Sequence, residues 1–308
     1  MDSIISPIGA DQRISSRIIS PYLRESSSIG VSGTYKIEIS PTKLISPDDR
    51  TYEFEIPELD RSLYDLKNIL LLVRGKVQKK LVSGAITTVP SSEAAILGTN
   101  SLHTLFSSVS VSIGRNQERF YQANHNYKAY MKQILDLKYK KTAAAQLAGF
   151  GYEVMTTAGD DLANATGREK PFEESAEVEF LGETQIDIFN TVGFLQSGVP
   201  VRIQYTRSEP RFYMLVGKVD KLKTYRFDIK KILLYVPVIK ITDSLQPYLS
   251  TLCEKSPSRY FFQSCDLKLF NIAADTSIFE VPKLYSGRLP TRLLVAFYPA
   301  SSVAGTTL

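Results

Sequence analysis

The chain has 308 residues, 43% hydrophobic and 22% charged, which excludes an intrinsically disordered polyelectrolyte and allows one large domain or two ordinary ones. Its 37 Lys+Arg against 32 Asp+Glu leave a net charge of +5, too mild to argue for nucleic acid without a localised basic patch. Two cysteines, Cys253 and Cys265, are too few for a disulfide framework or a zinc cluster.

No apolar run approaches the ~20 residues that span a bilayer, so no membrane span is expected. Met1-Asp2-Ser3-Ile4-Ile5 lacks the basic and apolar regions of a signal peptide. Residues 1–33 show no sustained period of 2 or 3.6 and read as an irregular arm, ordered by docking onto something else.

Alternation begins at residue 34. Tyr35, Ile37 and Ile39 alternate with Lys36, Glu38 and Ser40, and Tyr52, Phe54 and Ile56 alternate with Glu53 and Glu55. Ser46-Pro47-Asp48-Asp49 supplies turn chemistry between these two strands. Asn68 to Gln78 opens on Ile69-Leu70-Leu71-Leu72-Val73 and reads as a central strand covered on both faces. In 108–113, Val109, Val111 and Ile113 share one face and serines the other. Tyr127, Tyr130, Met131, Ile134 and Leu135 then form one apolar helical stripe, with Asn124 or Asn126 as a cap.

Glycines and Asp160-Asp161 mark 149–172 as a long loop. Strands are expected again at 176–189, 199–207, 211–216 and 225–241, the last with a phase change at Lys230-Lys231 that signals a bulge. Leu245, Tyr248, Leu249, Leu252 and Cys253 place a second helix over 243–253, with Ser244 as cap and Pro247 in its first turn. Further strands are expected at 259–272, 277–281 and 291–298. About a dozen strands and two short inserted helices predict an all-β protein built from sandwiches or barrels.

Candidate chemistry is thin. No G-x-G-x-x-G, P-loop or H-E-x-x-H pattern occurs, and Gly75-Lys76 and Gly217-Lys218 are bare dipeptides beside strands. His103 and His125 have no partner at metal-ligand or acid–base spacing and read as structural or surface residues. Cys253 falls on a helical apolar stripe and Cys265 alternates with Leu267 and Leu269, so both read as small buried hydrophobes. Asp160-Asp161 with Asn164 does not match a calcium loop, and Asn164-Ala165-Thr166 is a sequon in a chain without a secretion signal. Lys218, Lys221, Lys223, Arg226, Lys230 and Lys231 form the densest basic stretch; a lysine-protected sheet edge is favoured over a phosphate-binding surface, leaving direct nucleic-acid binding open. The expectation is no catalytic, cofactor-binding or metal residue, no cofactor, no small-molecule substrate and no enzymatic activity.

Five blocks in order resemble one family. Ser101-Leu102-His103-Thr104-Leu105-Phe106 leading into Ser107–Ser112, Asn126-Tyr127-Lys128-Ala129-Tyr130-Met131, Val201-Arg202-Ile203 with Phe212-Tyr213-Met214-Leu215, Tyr225–Ile241, and Gly287-Arg288-Leu289-Pro290-Thr291-Arg292 are similar to blocks of the major capsid proteins of Polinton/Maverick elements and adintoviruses. The resemblance implies a double jelly roll, two sandwiches side by side: residues 34–217 the first, 218–308 the second, 1–33 the arm. It also implies a homotrimer of pseudo-hexagonal outline, partnered by neighbouring capsomers and minor capsid proteins in a virion assembled inside the host cell.

The family continues with further strands past the last block, whereas this sequence stops at Leu308. About four strands can be placed after residue 222 where a jelly roll needs eight, so the second sandwich reads as incomplete. Two other readings are a penton-like minor capsid protein with a single jelly roll, and an unrelated β-sandwich ligand-binding or cupin-like module.

Overall fold

The computed structural model describes residues 30–81, 83–90, 95–114, 118–137, 146–149, 170–191, 193–196, 198–216, 225–243, 245–255, 259–282, 284–285 and 289–297. The first strands are β1 (Val31–Ile39), β2 (Thr51–Ile56), β3 (Ser62–Tyr64), β4 (Leu70–Lys80), β5 (Ile86–Thr87) and β6 (Ala95–Leu97). A one-turn helix α1 (Ser101–Thr104) leads into β7 (Phe106–Ile113) and β8 (Glu118–Gln122), followed by helix α2 (His125–Leu137). Then come β9 (Val178–Glu183), β10 (Leu195–Gln196), β11 (Val201–Arg207), the one-turn α3 (Pro210–Tyr213), β12 (Met214–Val216), β13 (Tyr225–Ile241) and α4 (Leu245–Lys255). The protein is thus mostly β-sheet with a few short helices, as its alternation predicts.

Two antiparallel sheets face each other. In the larger, β13 lies between β1 and β4; β3 continues the lane of β4, and β9, β5 and β10 lie beyond. The smaller has the order β2-β11-β7-β8. Lettering the eight principal strands B to I along the chain gives B-I-D-G (β1, β13, β4, β9) against C-H-E-F (β2, β11, β7, β8). That is the strand order of a jelly roll.

Alternation fills the space between the sheets. Tyr52, Phe54 and Ile56 of β2, Val201, Ile203 and Tyr205 of β11, and Val109 and Val111 of β7 face Leu71, Val73 and Val77 of β4 and Phe227, Leu234, Val236 and Val238 of β13, all buried. Phe54 meets Tyr205 edge-on at 6.1 Å, and Phe106 lies 4.9 Å from Tyr205. Burying each such side chain contributes roughly 1.5–3 kcal/mol. Turn chemistry holds as expected between β1 and β2: Asp49 N–H donates to Ser46 O (3.1 Å), and Ser46 N–H to Asp49 Oδ2 (2.6 Å).

The bulge expected at Lys230-Lys231 is present. Ile229 pairs with Gly75 but Lys231 with Arg74, so Lys230 is the extra residue, and both Ile229 and Ile232 stay in the core. Gly75 is required opposite it: a Cβ there would lie 2.4 Å from Asp228 O and 2.8 Å from the Phe227 ring.

Four expectations need correction. Tyr225–Ile241 does not open a second sandwich; it is the central strand of the first, because its 17 residues find registers on both sides, with β1 and with β4 and β3. The boundary expected between 217 and 218 therefore does not separate the sheets. Of the arm expected over 1–33, residues 1–29 lie outside the described residues, and Val31–Gly33 belong to β1, whose edge position tolerates polar and glycine residues. The strand expected over 211–216 begins as α3, with Pro210 in its first turn. Finally, the strands expected at 259–272, 277–281 and 291–298 are not formed among the described residues of those stretches. Lys268 Nζ donates there to Leu284 O (2.5 Å), and Phe270 lies edge-on to Phe279 (6.2 Å) across a turn at Asp275.

Candidate functional site

Histidines 22 positions apart in the sequence meet in the fold. His103 lies in α1 and His125 opens α2; their ring centroids are 5.5 Å apart at 69°, and both rings are buried. Tyr205 of β11 lies beneath, its ring 6.4 Å from His125. Nδ1 of His103, Nε2 of His125, the hydroxyl of Tyr205 and the side-chain amide of Asn100 have no hydrogen-bond partner among the described residues. Burial pushes the His103 pKa down to about 3, with Lys132 adding to the effect, and holds His125 well below its usual range, with His103, Lys128 and Lys132 adding. Burial likewise raises the Tyr205 hydroxyl. Spacing alone missed that the two histidines, read as structural or surface residues, are neighbours, because α1 and α2 are brought together only by the turn of the chain through β7 and β8.

Beside this cluster sits a buried ion pair. Lys128 Nζ of α2 binds Asp187 Oδ2, with side-chain exposures of 4% and 16%. The same Asp187 oxygen accepts the Cys265 N–H at 2.7 Å. Lys128 stands on the helix beside the apolar stripe, so its burial was not legible from the pattern of hydrophobic residues.

The densest basic stretch does not form a free cationic patch in its described part. Arg226 reaches Asp48 at 3.2 Å, and Lys230 reaches the buried Asp228 at 2.8 Å. Arg74 and Glu179 pair at 2.6 Å on the same outer face. Lys218, Lys221 and Lys223 lie outside the described residues, as do Gly217 and Asp160-Asp161 with Asn164. Gly75-Lys76 is strand interior, not a phosphate loop. The side chain of Cys253 is also outside them. Cys265 is a correction: it is exposed and in no strand, because the segment that carries it has no sheet to join.

Beyond α4 the surface is apolar. Phe261, Ile278, Val295 and Phe297 are 78%, 79%, 69% and 83% exposed, and Phe270, Ile272 and Phe279 are exposed with them. Phe262 anchors the stretch by packing edge-on to Phe120 of β8 at 6.0 Å. Among the described residues no cluster of three or more His, Cys, Asp or Glu could hold a metal, and no helix is long and apolar enough to cross a membrane.

No protein-family model matches the sequence, and no curated protein matches it. Among the solved structures the chain is similar to are three viral ones. A chain of the Sputnik virophage has a TM-score of 0.41 and 8% identity, covering 79% of this chain and 53% of that one. The Faustovirus major capsid protein has a TM-score of 0.42 and 9% identity, covering 75% and 58%. The mavirus major capsid protein has a TM-score of 0.38 and 10% identity, covering 80% and 54%. The chain thus spans a little over half the length of each.

Proposed function

We propose that this chain is a capsid subunit of a virus-like element of the Polinton/Maverick and adintovirus kind, acting by assembly and not by catalysis. The observation that carries the reading is the strand order, B-I-D-G against C-H-E-F, closed by the 17-residue β13. The five sequence blocks support it, because each falls on an element of that sandwich or on the stretch that follows it.

In this reading residues 31–241 hold the first of two jelly rolls, and the exposed stretch 259–297 belongs to the second, whose strands need further partners to form a sheet. The subunit assembles as a homotrimer of pseudo-hexagonal outline, contacts neighbouring capsomers and minor capsid proteins, and resides in the virion. Burial of Phe261, Phe270, Ile278 and Phe297 in such contacts removes apolar surface from water, the ordinary drive for an obligate oligomer.

One observation favours a second reading. A complete eight-stranded sandwich already exists without 259–297, as a penton-like protein with a single jelly roll requires. Light scattering on the purified full chain, followed by electron microscopy, separates the two. A trimer that packs into sheets or shells supports the major-capsid reading; a pentamer transfers the chain to the penton reading, and a monomer at tens of micromolar overturns both.

A further inference from the structure

We propose that the buried His103–His125 pair, with Gln122, forms an acid-released latch that holds helix α2 against the smaller sheet. Hydrogen-bond directions set the charge state of the latch. Gln122 Nε2 donates to Gln185 O at 3.2 Å, while Gln122 Oε1 accepts the Asp187 N–H at 3.4 Å, which together fix the amide orientation. The amide nitrogen, a donor only, lies 2.8 Å from His125 Nδ1, so that nitrogen accepts and the ring is neutral. One glutamine at the end of β8 thereby ties the first residue of α2 to the Gln185–Asp187 segment.

A proton on Nδ1 sets donor against donor and breaks this bridge. Among the described residues no carboxylate acts on either ring to relieve such a charge. Lys132 of α2 acts as a cation on both rings and Lys128 on His125, and His103 adds a third charge against His125 when protonated. Asp187, whose main-chain N–H Gln122 accepts, has its carboxylate engaged by Lys128. Strand β7, against which α2 packs, contributes only Phe, Ser, Val and Ile. Glu179 and Glu183 of β9 alternate to the face opposite Phe180, where Glu179 meets Arg74. From β11 comes Tyr205, whose hydroxyl burial keeps protonated.

The direction of the pH effect follows. Both folded pKa values lie below the ordinary value of 6.5, that of His103 at about 3. The latch is therefore at full strength above pH ~6.5 and weakens as pH falls toward about 3, because the opened state takes up protons that the closed state refuses. Each histidine shifts the opening equilibrium about tenfold per pH unit within that window, so the pair together approaches a hundredfold.

The test is hydrogen exchange of the α2 amides in the full chain, corrected for intrinsic exchange, from pH 7.5 to 5. The opening constant is expected to rise steeply below pH ~6.5. His125→Asn, whose Oδ1 can replace Nδ1 as acceptor but takes no proton, should lower that rise about tenfold per unit, and His103→Phe should do the same. An equal rise in the double variant, or a flat profile in the native protein, overturns the latch. Should the variants fail to fold, NMR titration of the histidine rings in the native chain decides: neutral rings until α2 opens support it, and either ring titrating near 6.5 with α2 intact overturns it. The outcome is independent of the capsid reading.

Discussion

Arg207, the last residue of β11, donates its guanidinium to the main-chain oxygen of Phe227 in β13, joining the two sheets at one end of the sandwich. The same guanidinium reaches Pro47 O at 3.1 Å and the Tyr213 hydroxyl at 3.3 Å. One side chain thus ties the β1–β2 turn, α3 and the larger sheet to the smaller one. Removing it orphans a part-buried carbonyl as well as losing charge-assisted hydrogen bonds. Arg207→Ala is expected to destabilise the fold by about 2–3 kcal/mol in urea unfolding. Arg207→Lys should recover less than half of that, since an ammonium cannot fork to three acceptors in different directions; full recovery by lysine would refute the geometry.

Gly75 faces the bulge. A methyl group there meets Asp228 O at 2.4 Å and the Phe227 ring at 2.8 Å, neither of which can yield without opening the β4–β13 ladder. Gly75→Ala should cost about 1–3 kcal/mol by thermal or chemical denaturation. The same change at Gly33, where nothing lies within 4 Å, serves as the control and should be close to neutral.

The Lys128–Asp187 pair is buried on the lysine side. Asp187→Ala leaves an uncompensated cation and should cost about 3–5 kcal/mol, whereas Lys128→Met with Asp187→Leu should restore most of it. A double-mutant cycle measures the coupling; additivity of the two single changes would mean that the pair is not formed. Because Asp187 also holds the Cys265 N–H, Asp187→Ala is further expected to loosen the stretch beyond α4, raising its susceptibility to limited proteolysis.

The Cys265 thiol is exposed on that stretch. A maleimide should modify it readily in the dispersed subunit. If 259–297 is covered on assembly, labelling of the oligomer should fall several-fold while Cys265→Ser leaves folding unchanged. Equal labelling of dispersed and assembled protein would remove this surface from the contacts.

Much of the sandwich was legible from alternation. Tyr52-Phe54-Ile56, Val109-Val111 and Val201-Ile203-Tyr205 show their buried face directly, because a strand lined on one side by core and on the other by water must alternate. The bulge was legible as a broken phase at Lys230-Lys231. Neither the partner of β13 nor the meeting of His103 with His125 was. Pairing depends on which edges remain open once other strands have docked, and a ring 22 positions away becomes a neighbour only through the chain's turn between α1 and α2.

The sequence by itself determined the β-rich class, the two longer helices and the inward faces of the strands, since these follow from local periodicity. Tertiary structure alone decided that Tyr225–Ile241 closes the sandwich, that the described residues of 259–297 join no ladder, and that the rings of His103 and His125 lie buried against each other. A strand carries its own side-chain pattern, but its hydrogen bonds and the charge state of a buried ring are set by whatever the rest of the chain places beside them.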